Sequence, residues 1–318
     1  MMKKQLRKAM ICTVAMMLVA VLTLTGVTYA WFSESDSADV NGLDLSVVKT
    51  EGGVYISTTP ADPGSFGTSV TIAPKTDEIF RPVSTSCQLY TDEGDNYGMM
   101  KFYEGELTSP NDATVTSKEI LPANKNGRYI FSEVYFDNST GASDITVSLE
   151  DTEIKPTSEG TASTHLAARV AIATYGSISQ ETYNNGAGVE EFPDMPSNVQ
   201  VYENNSATHT TQGKNEYKKL FPATTIFDTT YTYYALTRAT TAEENGADGA
   251  GGVNRFSKDG EWLKEMTTIT DPSAVTITVP ANSYLKIGVY VWLEGQDADC
   301  QNNISGNKFT AAIVFKQV

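Results

Sequence analysis

The chain has 318 residues, with 39 acidic against 23 basic side chains, so its formal net charge is −16. Nucleic-acid binding needs a positive face and anionic membrane surfaces repel an acidic chain, so the charge argues against both kinds of partner. Hydrophobic residues make up 40% and aromatic residues 10% of the sequence, which is enough for a packed core and argues against general disorder.

The first thirty residues have the composition of an export signal. Four basic residues and no acidic one precede a long apolar run, residues 9–27, and the small residues Thr28 and Ala30 follow at the spacing that signal peptidase requires. We predict a hydrophobic signal helix over residues 1–30, cleaved by signal peptidase between Ala30 and Trp31. An uncleaved anchor is the alternative, because about 19 apolar residues can span a bilayer.

Cleavage would remove four positive charges and no negative one, which changes the net charge from −16 to −20. We expect a secreted protein, extracellular or at the cell surface, that meets the membrane only through its signal segment before cleavage. Outside the cell a disulfide is permitted, and Cys87 and Cys300 are the two cysteines available for it. Two unrelated buried thiols are the alternative.

Beyond the signal, apolar and polar residues alternate at the period of two that is typical of β-strands. The predicted strands are Leu43–Val48, Val70–Ala73, Met99–Tyr103, Tyr129–Phe136, Ile145–Leu149, Leu166–Tyr175, Tyr231–Leu236, Val275–Val279, Leu285–Leu293 and Phe309–Phe315. Such a series with little helix predicts an all-β fold, a two-sheet sandwich or jelly roll, over residues 51–318.

Three local patterns refine this prediction. The turn Asn138–Gly141 is expected to close a hairpin between the strands on either side of it. Residues Asp259–Met266 are expected to form about two helical turns. Residues 176–260 are rich in Asn, Thr, Gly and Glu, which predicts a large loop-rich insertion. The insertion is either a binding region or a variable surface.

The junction Thr28–Ser33 (TYAWFS) resembles the end of SipW-type signal peptides in exported proteins of Gram-positive bacteria. Proteins with this signal include the TasA/camelysin family of extracellular fibre proteins, which the chain distantly resembles. The segment Val289–Cys300 (VYVWLEGQDADC) is similar to exported proteins of the same type. The resemblance implies a jelly-roll domain and biofilm-matrix fibres in which the N-terminal segment of one subunit supplies a β-strand to the next.

Residues 31–50 contain a candidate for such a strand. Leu43, Leu45 and Val47 alternate with more polar residues, close to the terminus that cleavage would free. A free strand pairs through its main chain and places alternate side chains in apolar sites. We predict that this segment is an assembly strand, given to a second copy of the chain or to a related exported subunit. The alternative is that it forms the first strand of its own domain.

The sequence shows no catalytic constellation. The two histidines, His165 and His209, have no second histidine at ligand spacing, and neither a G-x-S-x-G elbow nor a phosphate-binding glycine motif is present. We therefore predict that the protein is not an enzyme and has no catalytic residues.

Two weaker patterns concern ligands. Glu294, Asp297 and Asp299 offer the hard oxygen atoms that Ca²⁺ prefers, although solvated acidic turns are the alternative. Trp31, Phe32, Trp292 and the tyrosines of residues 231–234 are candidates for a sugar-binding face, although strand aromatics more often pack in the core. We expect no cofactor, with calcium as the alternative.

Three functions fit these patterns: a structural subunit of an extracellular fibre or matrix, a monomeric surface adhesin or ligand-binding module that uses residues 176–260, and a secreted hydrolase. No LPxTG motif with a hydrophobic tail follows the last predicted strand, so we expect the processed protein to be released or assembled instead of anchored by a sortase. This expectation favours the fibre subunit.

Overall fold

The computed structural model describes residues 38–48, 53–59, 65–72, 79–85, 87–92, 94–107, 115–156, 164–183, 192–203, 257–258, 261–262, 268–269, 271–295, 300 and 308–318. Within these residues no helix has the length and hydropathy needed to cross a membrane. The predicted signal peptide, its cleavage site between Ala30 and Trp31, and the predicted strand Tyr231–Leu236 lie outside them.

The described chain is mostly β, as the sequence predicted. Its strands in chain order are β1 (Ala38–Val48), β2 (Tyr55–Ser57), β3 (Ser69–Ile72), β4 (Ile79–Phe80), β5 (Phe102–Leu107), β6 (Val115–Ile120), β7 (Tyr129–Asn138), β8 (Ile145–Ser148), β9 (Glu153–Pro156), β10 (Ala168–Ser179), β11 (Asn198–Glu203), β12 (Ser257–Lys258), β13 (Glu261–Trp262), β14 (Thr268–Ile269), β15 (Thr276–Val279), β16 (Ser283–Leu293) and β17 (Lys308–Gln317). Helical turns lie at Pro122–Asn124, Thr164–Leu166, Gln180–Thr182 and Pro272–Ala274.

These strands form three sheets in which most pairs are antiparallel. The seven-stranded sheet has the order β15-β8-β17-β1-β3, with β4 beside β1 and β9 beside β17. The six-stranded sheet has the order β14-β11-β10-β16-β7-β2, and the four-stranded sheet the order β13-β12-β6-β5. Among these strands, the parallel pairs are β1 with β17, β11 with β14, and β12 with β6.

The two large sheets share one buried cluster of side chains. β17 contributes Phe309, Ala311, Ile313 and Phe315, which alternate with partly exposed residues. The ring of Phe315 meets that of Phe136 on β7 edge to face, with 5.0 Å between the ring centroids. Because burial of each large apolar side chain contributes roughly 1.5–3 kcal/mol, this cluster is the main apolar core of the described residues.

The opposite face of the six-stranded sheet is covered as well. Tyr129 and Trp292 on this face pack against Phe102 of β5, with a stacked Phe102–Tyr129 pair at 4.1 Å between centroids. Every residue of β16 is therefore buried. The predicted two-sheet arrangement omits this third layer. Aromatic residues such as Tyr129 and Trp292 can also form cross-strand pairs within one sheet, so their presence in the sequence does not reveal a layer that covers them.

The predicted hairpin at Asn138–Gly141 is wrong. β7 pairs with β16 and β2 in one sheet, whereas β8 pairs with β15 and β17 in another. The turn therefore carries the chain from sheet to sheet. The Asn138 side chain fixes it, because Nδ2 donates to the carbonyl oxygens of Ser143 (3.0 Å), Val279 (3.1 Å) and Pro280 (3.0 Å).

Two further predictions change in part. Glu261–Trp262 forms the short strand β13, which pairs with β12, where the sequence predicted helix over Asp259–Met266. β11 pairs with β10 along Arg169–Thr174, so this part of the predicted insertion 176–260 belongs to the six-stranded sheet. Most of the remaining insertion lies outside the described residues.

Candidate assembly site

β1, the predicted assembly strand, lies inside the seven-stranded sheet. It runs parallel to β17 on one side and antiparallel to β3 and β4 on the other. The register pairs Leu43 with Ala311, Leu45 with Ile313 and Val47 with Phe315. These three β17 residues are at most 1% exposed. In a single chain, then, the segment pairs within its own sheet, opposite buried positions of the core.

β17 relies on β1 along most of one edge. The pairing extends from Asp39 opposite Lys308 to Val48 opposite Lys316, whereas the other edge of β17 is shared between β9 and β8. In the described part of the sheet, β3 and β4 join through β1. We call the space that β1 occupies, with β17 on one edge and β3 and β4 on the other, the β1 slot. If the slot were vacated, β17 would present an open edge, which is a template for pairing with another chain.

The pairing of β1 with β17 contains one irregularity. Val40 lies opposite Phe309 and Leu43 lies opposite Ala311, so Asn41 and Gly42 together face a single β17 residue. Two residues against one is the definition of a β-bulge. Val40 and Leu43 are an odd number of residues apart, whereas their buried partners Phe309 and Ala311 are an even number apart. The bulge accommodates this difference.

The structure places Glu294, a predicted calcium ligand, in the interior. Its side chain is 0% exposed, and it accepts hydrogen bonds from Ser84 Oγ at 2.5 Å and from Trp292 Nε1 at 3.1 Å. Both carboxylate oxygens thus bond to the protein. The carboxylate joins the end of β16 to the segment around Ser84, which is a structural role.

The other predicted calcium ligands, Asp297 and Asp299, lie outside the described residues. Within those that are described, no group of three or more His, Cys, Asp or Glu side chains is placed to hold a metal ion. Trp292, a candidate for a sugar-binding face, is 0% exposed and packs in the core. His165 lies in the turn Thr164–Leu166, and His209 lies outside the described residues.

Cys87 and Cys300 both carry thiols that are not oxidised to a disulfide, so the bridge that the sequence allows is not formed in this structure. Cys300 belongs to the core between the two large sheets, whereas Cys87 packs against the cluster on the other face of the six-stranded sheet. Burial, and next to it the charge of Glu294, raises the pKa of the Cys87 thiol to about 12. Since the thiolate is the reactive form, we expect Cys87 to react slowly at neutral pH.

We expect Cys87 in the native protein to react with iodoacetamide at pH 8 at least about 100-fold more slowly than after unfolding in guanidinium chloride, because its pKa returns toward 9.0 on unfolding. Mass spectrometry of the digested protein measures the labelling of each cysteine. If neither Cys87 nor Cys300 were labelled after unfolding without a reductant, the two would be bridged and this assignment would be wrong.

A fully buried ion pair links β10 to β11. Arg169 and Glu203 lie opposite each other in the register, are both 0% exposed, and are joined by 3.2 Å between Nη2 and Oε1. Arg169 Nη1 also donates to the carbonyl oxygens of Leu166 (3.1 Å) and Ala168 (3.2 Å). No sequence pattern indicates this pair, because isolated charges within strands are more often solvent-facing.

A polar cavity of about 390 Å³ opens beside the β5–β6 hairpin. Two basic and two acidic residues line it. Glu104 Oε2 accepts from Arg128 Nε at 2.9 Å, Glu104 Oε1 lies 3.8 Å from Lys118 Nζ, and Glu119 Oε1 accepts from Tyr90 Oη at 2.9 Å. These opposite charges largely offset each other, so the cavity has no strong preference for an anion or a cation.

The β1 slot is thus the most definite candidate site. The sequence predicts the strand but not the slot, since alternation identifies β17 as a strand without indicating its neighbours. Comparisons of the chain with family models, with curated proteins and with solved structures find no match.

Proposed function

We propose that the protein is a secreted structural subunit of an extracellular fibre or biofilm matrix, assembled by β-strand addition. In this proposal, processing after Ala30 leaves β1 close to the new terminus, and the β1 of one subunit enters the β1 slot of the next. The observation that carries the proposal is the position of β1: a strand near the N-terminus pairs with a long edge of β17, which contributes alternate side chains to the core.

Strand exchange is favoured by the local connections of β1. Residues 49–54 join it to β2, which belongs to a different sheet. β1 can therefore leave the seven-stranded sheet without withdrawing another strand of that sheet along with it. Because the same main-chain partners and the same buried positions are available in the slot of a neighbouring copy, exchange restores the pairing that it breaks.

The proposed assembly is open-ended. Each chain has one β1 and one β1 slot, so a subunit that gives its strand to a neighbour needs a strand from another neighbour. Such head-to-tail contacts extend into a filament unless their rotation closes a ring. The resemblance to extracellular fibre proteins noted above supports the same arrangement.

The proposal includes a finer description of the fold. We propose that the seven- and six-stranded sheets are the two leaves of a jelly-roll sandwich, with the β5–β6 hairpin as an added third layer. The shared core between β17, β7 and β16 supports the sandwich. β16 lies in the six-stranded sheet and β17 in the seven-stranded sheet, so the strand beside the slot packs through the shared core against the opposite leaf.

Assembly of the processed protein tests the proposal. We expect a chain starting at Trp31 to form fibres visible by negative-stain electron microscopy, with a matching rise in light scattering, whether or not calcium is present. Salt is expected to promote growth, because the processed chain has a charge of −20 and screening reduces repulsion between subunits. A chain that stays monomeric at all protein and salt concentrations would contradict the proposal and would leave the adhesin alternative.

A pair of variants in β1 makes this test specific. Leu45→Asp is expected to abolish fibres, since it places a charge opposite the buried Ile313 at a cost of several kcal/mol. Ser46→Asp adds the same charge opposite the partly exposed Val314 and is expected to assemble nearly as well as wild type. Equal assembly by both variants would show that the slot does not hold the strand in the fibre.

A further inference from the structure

We infer that the bulge at Asn41 and Gly42 regulates assembly by keeping β1 releasable from its own slot. The inference rests on the proposed strand exchange and concerns the rate of that exchange. In this inference the two bulge residues control how easily β1 opens, whereas the other residues of β1 pair in the slot.

The register shows what the bulge removes. Asp39 and Val40 pair with β17 on one side of it, and the pairing resumes at Leu43. A bulge leaves its extra residue unpaired and disrupts the ladder locally. The longer stretch, Leu43–Val48, is thus separated from the two pairs at the start of the strand, and the two parts can open separately.

On the other edge of β1, the described strands leave a gap at the same place. β4 pairs with Ala38 and Asp39, and β3 pairs with residues 43–46, so neither of these two described strands has a register partner among residues 40–42. The described pairing is therefore interrupted on both edges of β1 near the bulge. A break that coincides on both edges is a point where strand opening costs least.

The extra residue, and with it the bulge, is not needed to match β1 to the core. If Gly42 were deleted, Asn41 would lie opposite Thr310 while Val40 stayed opposite Phe309 and Leu43 opposite Ala311. The strand would then pair without interruption from Asp39 to Val48. The sequence thus keeps an extra residue whose removal would leave the positions registered with β17 unchanged and would lengthen the continuous ladder on that edge.

The expected effect is on the rate of assembly more than on its equilibrium. An incoming β1 carries the same bulge into the neighbour's slot, so closing the ladder stabilises the monomer and the fibre alike. Opening of the monomer, however, precedes exchange and becomes harder. One additional ladder pair contributes enough to slow opening roughly 2- to 10-fold.

The test compares wild type with a chain lacking Gly42, both starting at Trp31. We expect the deletion to lengthen the lag of fibre growth and to raise hydrogen-exchange protection of β1 amides roughly 2- to 10-fold, with the final fibre mass unchanged. Deletion of Asp44 is the matched control. It also removes one residue, but it breaks the alternation of Leu43 and Leu45, so it is expected to lower both stability and fibre mass.

The outcomes separate this inference from the proposed function. If wild type forms no fibres, the proposed function fails. If wild type forms fibres and the Gly42 deletion forms them as fast, with unchanged protection of β1, the inference is overturned. Loss of β1 protection in the deletion variant would also overturn it, because the bulge would then be required for pairing.

Discussion

A chain that begins at Thr50, and therefore lacks β1, is expected to lose at least about 4 kcal/mol of unfolding free energy and to form no fibres. The loss follows from the pairs that β17, β3 and β4 make with β1. It also follows from the exposure of Ile313 and Phe315 at the opened edge, since burial of each such side chain contributes roughly 1.5–3 kcal/mol. Against a typical total of about 5–15 kcal/mol, the truncated chain would be marginally stable.

A synthetic peptide of residues 38–48 is expected to restore the melting temperature of the truncated chain when added in excess. The control is the same peptide with Leu45→Asp, which is expected to restore little. Thermal denaturation by circular dichroism and size-exclusion chromatography measure the two effects. A truncated chain that melts like the full one, or that ignores the peptide, would show that the β1 slot does not bind a strand.

Arg169→Met is expected to destabilise the protein by about 3–5 kcal/mol, because it leaves the buried carboxylate of Glu203 without its guanidinium. The double variant Arg169→Met with Glu203→Leu is expected to recover most of this loss, since it removes both charges from an apolar site. Chemical denaturation of the two variants and wild type measures the free energies.

The exposed pair Lys155–Glu153 provides the control for this prediction. Its side chains are 60% and 57% exposed, and surface pairs contribute about 0–1 kcal/mol. Lys155→Met is therefore expected to change stability little. If Arg169→Met were equally mild, the Arg169–Glu203 pair would not be buried as the structure describes.

Sequence patterns predicted local structure well where alternation was strong. The faces of β7 are an example, since Ile130, Val134 and Phe136 enter the core between the large sheets and Tyr129 enters the cluster on the other face. Alternation has this power because successive side chains of a strand point to opposite faces. The same rule identified β15, β16 and β17 within a few residues of their ends.

Pairing between distant strands was not predictable from one sequence. The sequence Asn138–Gly141 is typical of a hairpin turn, but in the folded chain Asn138 bonds to Val279 and Pro280 and β8 pairs with β15 and β17 in another sheet. Likewise, the interior position of Glu294 depends on Ser84, which is 210 residues away. The acidic residues around Glu294 indicated a calcium site. Composition alone cannot show which of their carboxylates are buried and bonded within the protein.

The central claim, exchange of β1 between subunits, is tested most directly by a disulfide across the slot. Ser46 and Val314 are register partners on β1 and β17, and neighbouring strands lie at a spacing that a disulfide can bridge. The measurement is non-reducing gel electrophoresis of oxidised fibres of the double variant Ser46→Cys, Val314→Cys, with each single variant as a control. Exchange predicts a ladder of covalent oligomers that collapses on reduction. A single monomer band, with the two introduced cysteines bridged inside one chain, would contradict it.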